Sequence, residues 1–228
     1  MGDKLTEEQV ADVLALLRTD ASVDLKVAQV TNVKSGIKQT NVPDSCVSTI
    51  FDIVRISMTA QQAALVNAGF TTLSHLLTRL LRQEPKHVVR ETARTLPVVI
   101  EKLGDHKDKY RVLAAQCLTT FWRVAPMDVE RAVQNTGMVG KNSRAKEASM
   151  QWIVQVWLIF IIMSLFALLT FPHQMHNENG LQFRGFVPNL MELLEDADGM
   201  VRDNARNAVI ELFMYVTLSN TPDSSNTI

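Results

Sequence analysis

Apolar residues in this chain recur at intervals of three and four, the period of an amphipathic helix, and short polar turns separate the runs. The span from Thr6 to Arg18 carries Val10, Val13, Leu14 and Leu17 at that spacing. Thr6, with Gln9 three residues on, has the form of a capping box. A second pattern covers Asp24 to Ile37, with Leu25, Val27, Val30 and Val33. Asn41 to Asp44 breaks it, and Pro43 is well placed at the start of the next helix. Asp44 to Met58 follows with Val47, Ile50, Phe51 and Val54. The pattern then predicts a short helix over Ala60–Ala68 ended by Gly69, and a separate one over Phe70–Leu81.

Beyond Pro85 the chain repeats itself. His87-Val88-Val89-Arg90-Glu91-Thr92-Ala93-Arg94 is similar to Gly199-Met200-Val201-Arg202-Asp203-Asn204-Ala205-Arg206. Leu103-Gly104-Asp105-His106-Lys107-Asp108-Lys109-Tyr110-Arg111 parallels Leu194 to Arg202, and Asn142 to Ser149 is a weaker copy. Each unit ends a helix, makes a short acidic turn, and opens a second helix on Val/Tyr-Arg-x-x-Ala. Acidic groups there complement the helix dipole. The arginine has an Asp or free carbonyls within reach across the turn, and the alanine lets a paired helix approach closely. Arg90, Arg111 and Arg202, with Asp105, are therefore expected to tie their own turns. Units recurring at roughly 20 to 50 residues are the signature of helical solenoids. The expected fold is all-α, an α-solenoid of HEAT-type helical hairpins.

Composition agrees with that class. Of 228 residues, 46% are hydrophobic but only 6% aromatic, so the core is built from Leu, Val, Ile, Ala and Met. Glycine (9) and proline (7) are too few for a turn-rich β fold. Lys and Arg (23) nearly cancel Asp and Glu (24), so no global field draws the chain to nucleic acid or anionic lipid, and an electrostatic partner must be met by a local patch. Cys46 and Cys117 sit among apolar neighbours and are expected to be buried and reduced. The N-terminus, with Asp3, Lys4, Glu7 and Glu8, lacks the apolar core of a secretory signal, which implies an intracellular setting.

Leu96-Pro97-x-x-Ile100-Glu101-Lys102-Leu103-Gly104-Asp105-His106-Lys107-Asp108 resembles the central HEAT repeat of the first TOG domain in CLASP-type microtubule-associated proteins. Phe186-Val187-Pro188-Asn189-Leu190, Leu193-Leu194 and Val201-Arg202-Asp203 resemble a later repeat, and Lys34-Ser35-Gly36-Ile37-Lys38 is closest to the fungal members. The likeness covers residues 1–213, and 214–228 is expected to be a disordered polar tail. It implies a paddle of HEAT hairpins whose turns grip tubulin along one edge. On this chain that edge would hold Thr40–Asp44, Pro85–Val88, Asp105–Lys109, Met138–Arg144 and Ala197–Val201, with Lys86, His87, Lys107, Lys109, Lys141 and Arg144 facing acidic tubulin. It further implies a protein that stabilises dynamic microtubules and supports spindle assembly, in the cytoplasm and on the spindle, with the nucleus during mitosis. The alternative is a generic HEAT scaffold for another protein.

One stretch departs from this plan. From Val156 to Phe171 no face is polar, and with Ile153 and Val154 the run approaches the roughly 20 residues that cross a bilayer. A membrane span there would divide one solenoid core. Val156 must be encoded by GTN and Gln174 by CAA or CAG, so 156–174 has the limits of a retained intron. Its removal would join Gln155 to Met175, an ordinary helix end followed by a polar loop. A membrane anchor through 153–171 and a buried insertion are the other readings. Met214-Tyr215-Val216 also allows a splice-donor-like sequence, and the family continues with a further hairpin and more TOG domains, so a truncated gene model or a short product is expected.

No GxGxxG, P-loop, HExxH, CxxC or GxSxG is present, so neither an enzyme nor a cofactor site is expected. His173-x-x-His176 is too isolated to predict a metal centre. His75 is expected to be a hydrogen-bonded, partly buried helix residue, and Trp122 and Trp152 to pack in the core. The expected partners are tubulin and microtubules, without nucleic acid or membrane.

Overall fold

Ten α-helices make up the ordered frame of the computed structural model, which describes residues 5–170, 181 and 183–219, and no strand occurs among them. They fall into two compact units, residues 1–132 and 133–228.

The first unit contains α1 (Glu7–Leu17), α2 (Val23–Gln39), α3 (Asp44–Thr59), α4 (Ala63–Gln83), α5 (Lys86–Leu103), α6 (Asp108–Trp122) and α7 (Pro126–Ala132). Odd-numbered helices pack on one another in one layer and even-numbered helices in a second, with α1–α2, α3–α4 and α5–α6 paired across. The capping box at Thr6 forms as expected: Gln9 N donates to Thr6 Oγ1 and Thr6 N to Gln9 Oε1, both at 3.2 Å. Ile50, Phe51, Val54, Phe70, Leu73, Leu77 and Phe121 are fully buried. Each contributes on the order of 2 kcal/mol through lost apolar surface.

The helix break expected at Gly69 does not occur, because α4 runs unbroken from Ala63 to Gln83. A Cβ at Gly69 would lie 2.8 Å from Ser57 Cβ on α3, so glycine here permits close helix packing instead of ending a helix.

The second unit holds a π-helical turn (Val133–Gly137), α8 (Ser143–Thr170), a 3₁₀ turn (Phe183–Phe186), α9 (Val187–Leu193) and α10 (Gly199–Ser219). α8 packs on α10 and α9 on α10, around Trp152, Ile153, Phe186, Leu190, Val201 and Leu212. α10 continues past the boundary expected at 213. Among the described residues no helix is long and apolar enough to cross a membrane. The apolar run lies largely outside them: side chains from 160 to 170, and residues 171–180 with His173 and His176, are not described. Residues 220–228 of the expected tail are likewise outside.

Both cysteines are free and buried. Burial pushes the Cys117 thiol up to about 12 and also raises Cys46, so neither is a reactive thiolate.

Candidate functional site

A two-layer stack of antiparallel hairpins reverses direction at every helix, so successive turns alternate between its two ends. In the first unit the turns within hairpins (18–22, 60–62 and 104–107) share one end. The turns between hairpins (40–43, 84–85 and 123–125) share the other. Cross-links confirm the grouping. Tyr110 Oη donates to Ala63 O at 2.9 Å, joining the second and third inner turns. Val42 and Gln83 exchange two hydrogen bonds, at 3.0 and 2.6 Å, joining two outer turns.

The expectation of a single edge is therefore corrected. Lys107 and Lys109 lie at the inner-turn end, whereas Thr40–Asp44 and Pro85–Val88, with Lys86 and His87, lie at the opposite end of the same unit. His87 is also no surface cation, since it is only 3% exposed. Its Nε2 lies 3.1 Å from Asp44 Oδ1 and 3.2 Å from Glu84 Oε2. Lys86 is exposed, but its ammonium pairs with Glu84, whose hydrogen bond raises the Lys86 pKa.

The inner turn at 104–107 is clamped as the repeat predicts. Arg111 Nη1 donates to Asp105 O (2.9 Å) and His106 O (3.3 Å), and Nη2 to Asp108 Oδ1 (2.8 Å). Asp105 accepts from Lys107 N at 2.9 Å and from Lys102 Nζ at 3.4 Å. Burial alone would raise the Asp105 carboxyl, but the Lys107 amide, Lys102 and His106 together hold it below its ordinary value. Tyr110 stacks on Phe70 with centroids 6.1 Å apart, and Lys107 Nζ sits 5.6 Å above the Tyr110 ring. The Lys107 ammonium thus stands on a fixed platform. Lys109 is exposed beside it.

The second unit repeats this chemistry. Arg202 Nη1 donates to Asp196 O (2.6 Å) and Ala197 O (3.1 Å). Asp196 accepts from Asp198 N (2.9 Å) and, across to α8, from Lys146 Nζ (2.5 Å). The Lys146 bond is the main reason the Asp196 carboxyl is lowered. Asp198 is lowered first by the Ser143 hydroxyl and then by the Met200 amide. Asn142 Oδ1 accepts from Arg144 N at 3.1 Å. The 138–142 and 194–198 turns are thereby held side by side, with Lys141 and Arg144 exposed and without a carboxylate partner among the described residues.

Arg90 departs from the pattern. It is 56% exposed, and its one ion-pair contact among the described residues is Glu91 at 3.5 Å. The chain between α4 and α5 is too short to offer the carbonyls that Arg111 and Arg202 grip, and the His87 contacts close the turn instead. Two further expectations change. His75 is exposed, and Trp122 is half-buried with Nε1 donating to Glu130 Oε1 at 2.9 Å. Trp152 is buried as expected.

Asp44, Glu84 and His87 bring three possible metal-ligand atoms within 4.8 Å of one another. However, His87 Nδ1 is buried without a hydrogen-bond partner. A metal-bound imidazole ordinarily donates that second N–H to an orienting acceptor. The cluster fits a hydrogen-bonded lock between turns better than a metal centre. The braces Tyr110, Gln83 and Lys146 escaped the sequence reading, because each acts on a residue at least 41 positions away.

The model for the CLASP N-terminal family matches residues 6–228. The chain belongs to that family. This CLASP N-terminal chain is 56% identical over 213 residues to protein stu-1 of Neurospora crassa and 59% identical over 210 residues to protein STU1 of Gibberella zeae. Those matches take in 93% and 92% of the chain but 17% of each relative, so it spans about a sixth of their length. Its fold matches the MAST/Orbit N-terminal domain with a TM-score of 0.70 at 18% identity, over 95% of this chain and 86% of that one. The CEP104 TOG domain follows at 0.67 and 14%, over 99% and 93%. A structure described as "TOG-tubulin binding specificity promotes microtubule dynamics and mitotic spindle formation" matches at 0.64 and 16%, over 94% and 85%. The fold is that of a TOG domain, an array of HEAT-like helical hairpins.

Proposed function

We propose that this domain is a binding module, not a catalyst, and that it docks tubulin through the turns inside its hairpins. In the first unit the docking residues are Lys107 and Lys109, and in the second Lys141 and Arg144. Within a longer protein, such docking would help stabilise dynamic microtubules and support spindle assembly. The observation that carries this reading is the pairing of exposed cations with clamped turns. Asp105 with Arg111, and Asp196 with Arg202, hold each turn rigid, so the neighbouring cations lose little freedom when an acidic surface arrives. The fold likeness to a domain described by its tubulin specificity supports the choice of partner.

Lys86 and His87 are not part of this surface, because one is paired to Glu84 and the other is buried. Size-exclusion chromatography of the chain with tubulin heterodimer tests the proposal. A co-eluting complex that weakens with added salt is expected. No complex at low salt would leave a HEAT scaffold for another protein as the better reading.

The retained-intron reading of 156–174 stands beside this as a proposal about the gene. Its support is the codon pattern at Val156 and Gln174; in the described start of the run, Val156 is buried and Ile159 is 52% exposed. Transcript sequencing across Gln155–Met175 tests it. A spliced message supports the reading, and a message that always retains the segment removes it.

A further inference from the structure

We infer that the cleft between α2 and α4 is a docking surface for an acidic peptide segment, separate from the inner-turn edge. The cleft, of about 210 Å³, is lined by Ile37, Lys38, His75, Thr78, Arg79 and Arg82, with no carboxylate among them. Lys34 stands one helical turn before Lys38, and both ammonium groups act on His75. Four basic side chains thus line one cleft of a chain whose net charge is −1.

Several cations elsewhere in the first unit are paired. Arg55, Arg94, Lys86, Lys102 and Arg111 each face a carboxylate. Lys34, Lys38 and Arg82 have none among the described residues. Burial first, and then Lys38 and Lys34, hold the His75 imidazole below its ordinary range.

Arg79 is fixed: Nε donates to Ile37 O at 2.9 Å and Nη2 to Lys38 O at 2.5 Å. It closes the end of α2 and forms a rigid cationic wall. Capping and the helix dipole account for Arg79, and for Lys38 and Arg82 near the C-terminal ends of α2 and α4. They do not account for Lys34 or His75. Like charges four residues apart, as in Lys34/Lys38, work against the helix. Their accumulation is explained by an anionic occupant.

The lining also selects the class of occupant. Single-stranded nucleic acid is held on aromatic stacking platforms, and an interfacial helix enters a membrane through exposed apolar side chains. The cleft offers neither, since its one large apolar residue, Ile37, is buried. Carboxylates of an extended peptide suit an open cleft with Lys, Arg and His on its walls and the Thr78 hydroxyl between them. The cleft lies toward the outer-turn end of the first unit, so Lys107 and Lys109 stay free while it is filled.

Fluorescence anisotropy of the full chain with a fluorescein-labelled oligoglutamate peptide tests the inference. Binding should weaken with added salt, and the Lys38→Glu/Arg82→Glu variant should bind about tenfold or more weakly. Lys107→Glu/Lys109→Glu should bind as wild type, which keeps this test independent of the tubulin proposal. Both substituted cleft residues are exposed, and an unchanged circular dichroism melt verifies the fold. Lys34→Gln/Lys38→Gln, a milder pair, should shift affinity in the same direction. Equal binding by wild type and the cleft variants would overturn the inference. So would absence of peptide binding together with capture by single-stranded RNA or by phosphatidylserine vesicles.

Discussion

Turns within the hairpins and turns between them perform the same geometric task with different chemistry. Inside a hairpin, an aspartate and an arginine six positions later close the loop on its own backbone, once at Asp105 and Arg111 and again at Asp196 and Arg202. Between hairpins, distant residues close it: Gln83 grips Val42 through both its amide atoms, and buried His87 reaches Asp44 and Glu84. A self-contained clamp leaves its neighbours unpaired and available to a partner, as at Lys107 and Lys109. An outer turn uses its polar groups to hold helices together.

Five substitutions probe this contrast. His87→Ala should cost the most, about 2–3 kcal/mol, because it empties a buried site and removes the Nε2 contacts to Glu84 and Asp44. Urea denaturation followed by circular dichroism measures it, and a loss below that of Arg111→Ala would remove the contrast. Arg111→Ala and Arg202→Ala should each cost about 1–2 kcal/mol through three and two lost bonds. Arg202→Ala should be the milder, since Lys146 still braces Asp196 from α8.

Asp105→Asn should act mainly on the acid limb of stability. Its folded carboxyl is held below the ordinary value of 3.8, so the stabilisation is present above that value and is lost as pH falls through the folded pKa. Unfolding measured between mildly acidic and strongly acidic buffers should therefore fall less steeply in the variant. A steeper fall would contradict the assigned direction. Lys86→Ala should leave the melt unchanged, because Lys86 is fully exposed and its pairing with Glu84 is a surface contact.

These differences also mark what the sequence could reveal. The Thr6 capping box, the helical period and the Asp–Arg clamps rest on residues three to six positions apart, where local geometry decides the outcome. Gly69 was opaque because its purpose lies on another helix: it makes room for Ser57, and local propensity reads it as a stop. The expected edge joins Lys86 and His87 to Lys107 and Lys109, but a single helix, α5, lies between those turns and carries the chain from one end of the stack to the other. Similarly, the α2–α4 cleft gathers Lys34 and Arg82 from separate helices, which no local pattern links.

The claim that function resides in the inner turns is tested most directly by comparing two charge reversals at opposite ends of the first unit. Tubulin affinity of Lys107→Glu/Lys109→Glu should fall about tenfold or more, while Lys86→Glu retains wild-type affinity, with both proteins melting as wild type. Equal losses, or a greater loss for Lys86→Glu, would contradict the account.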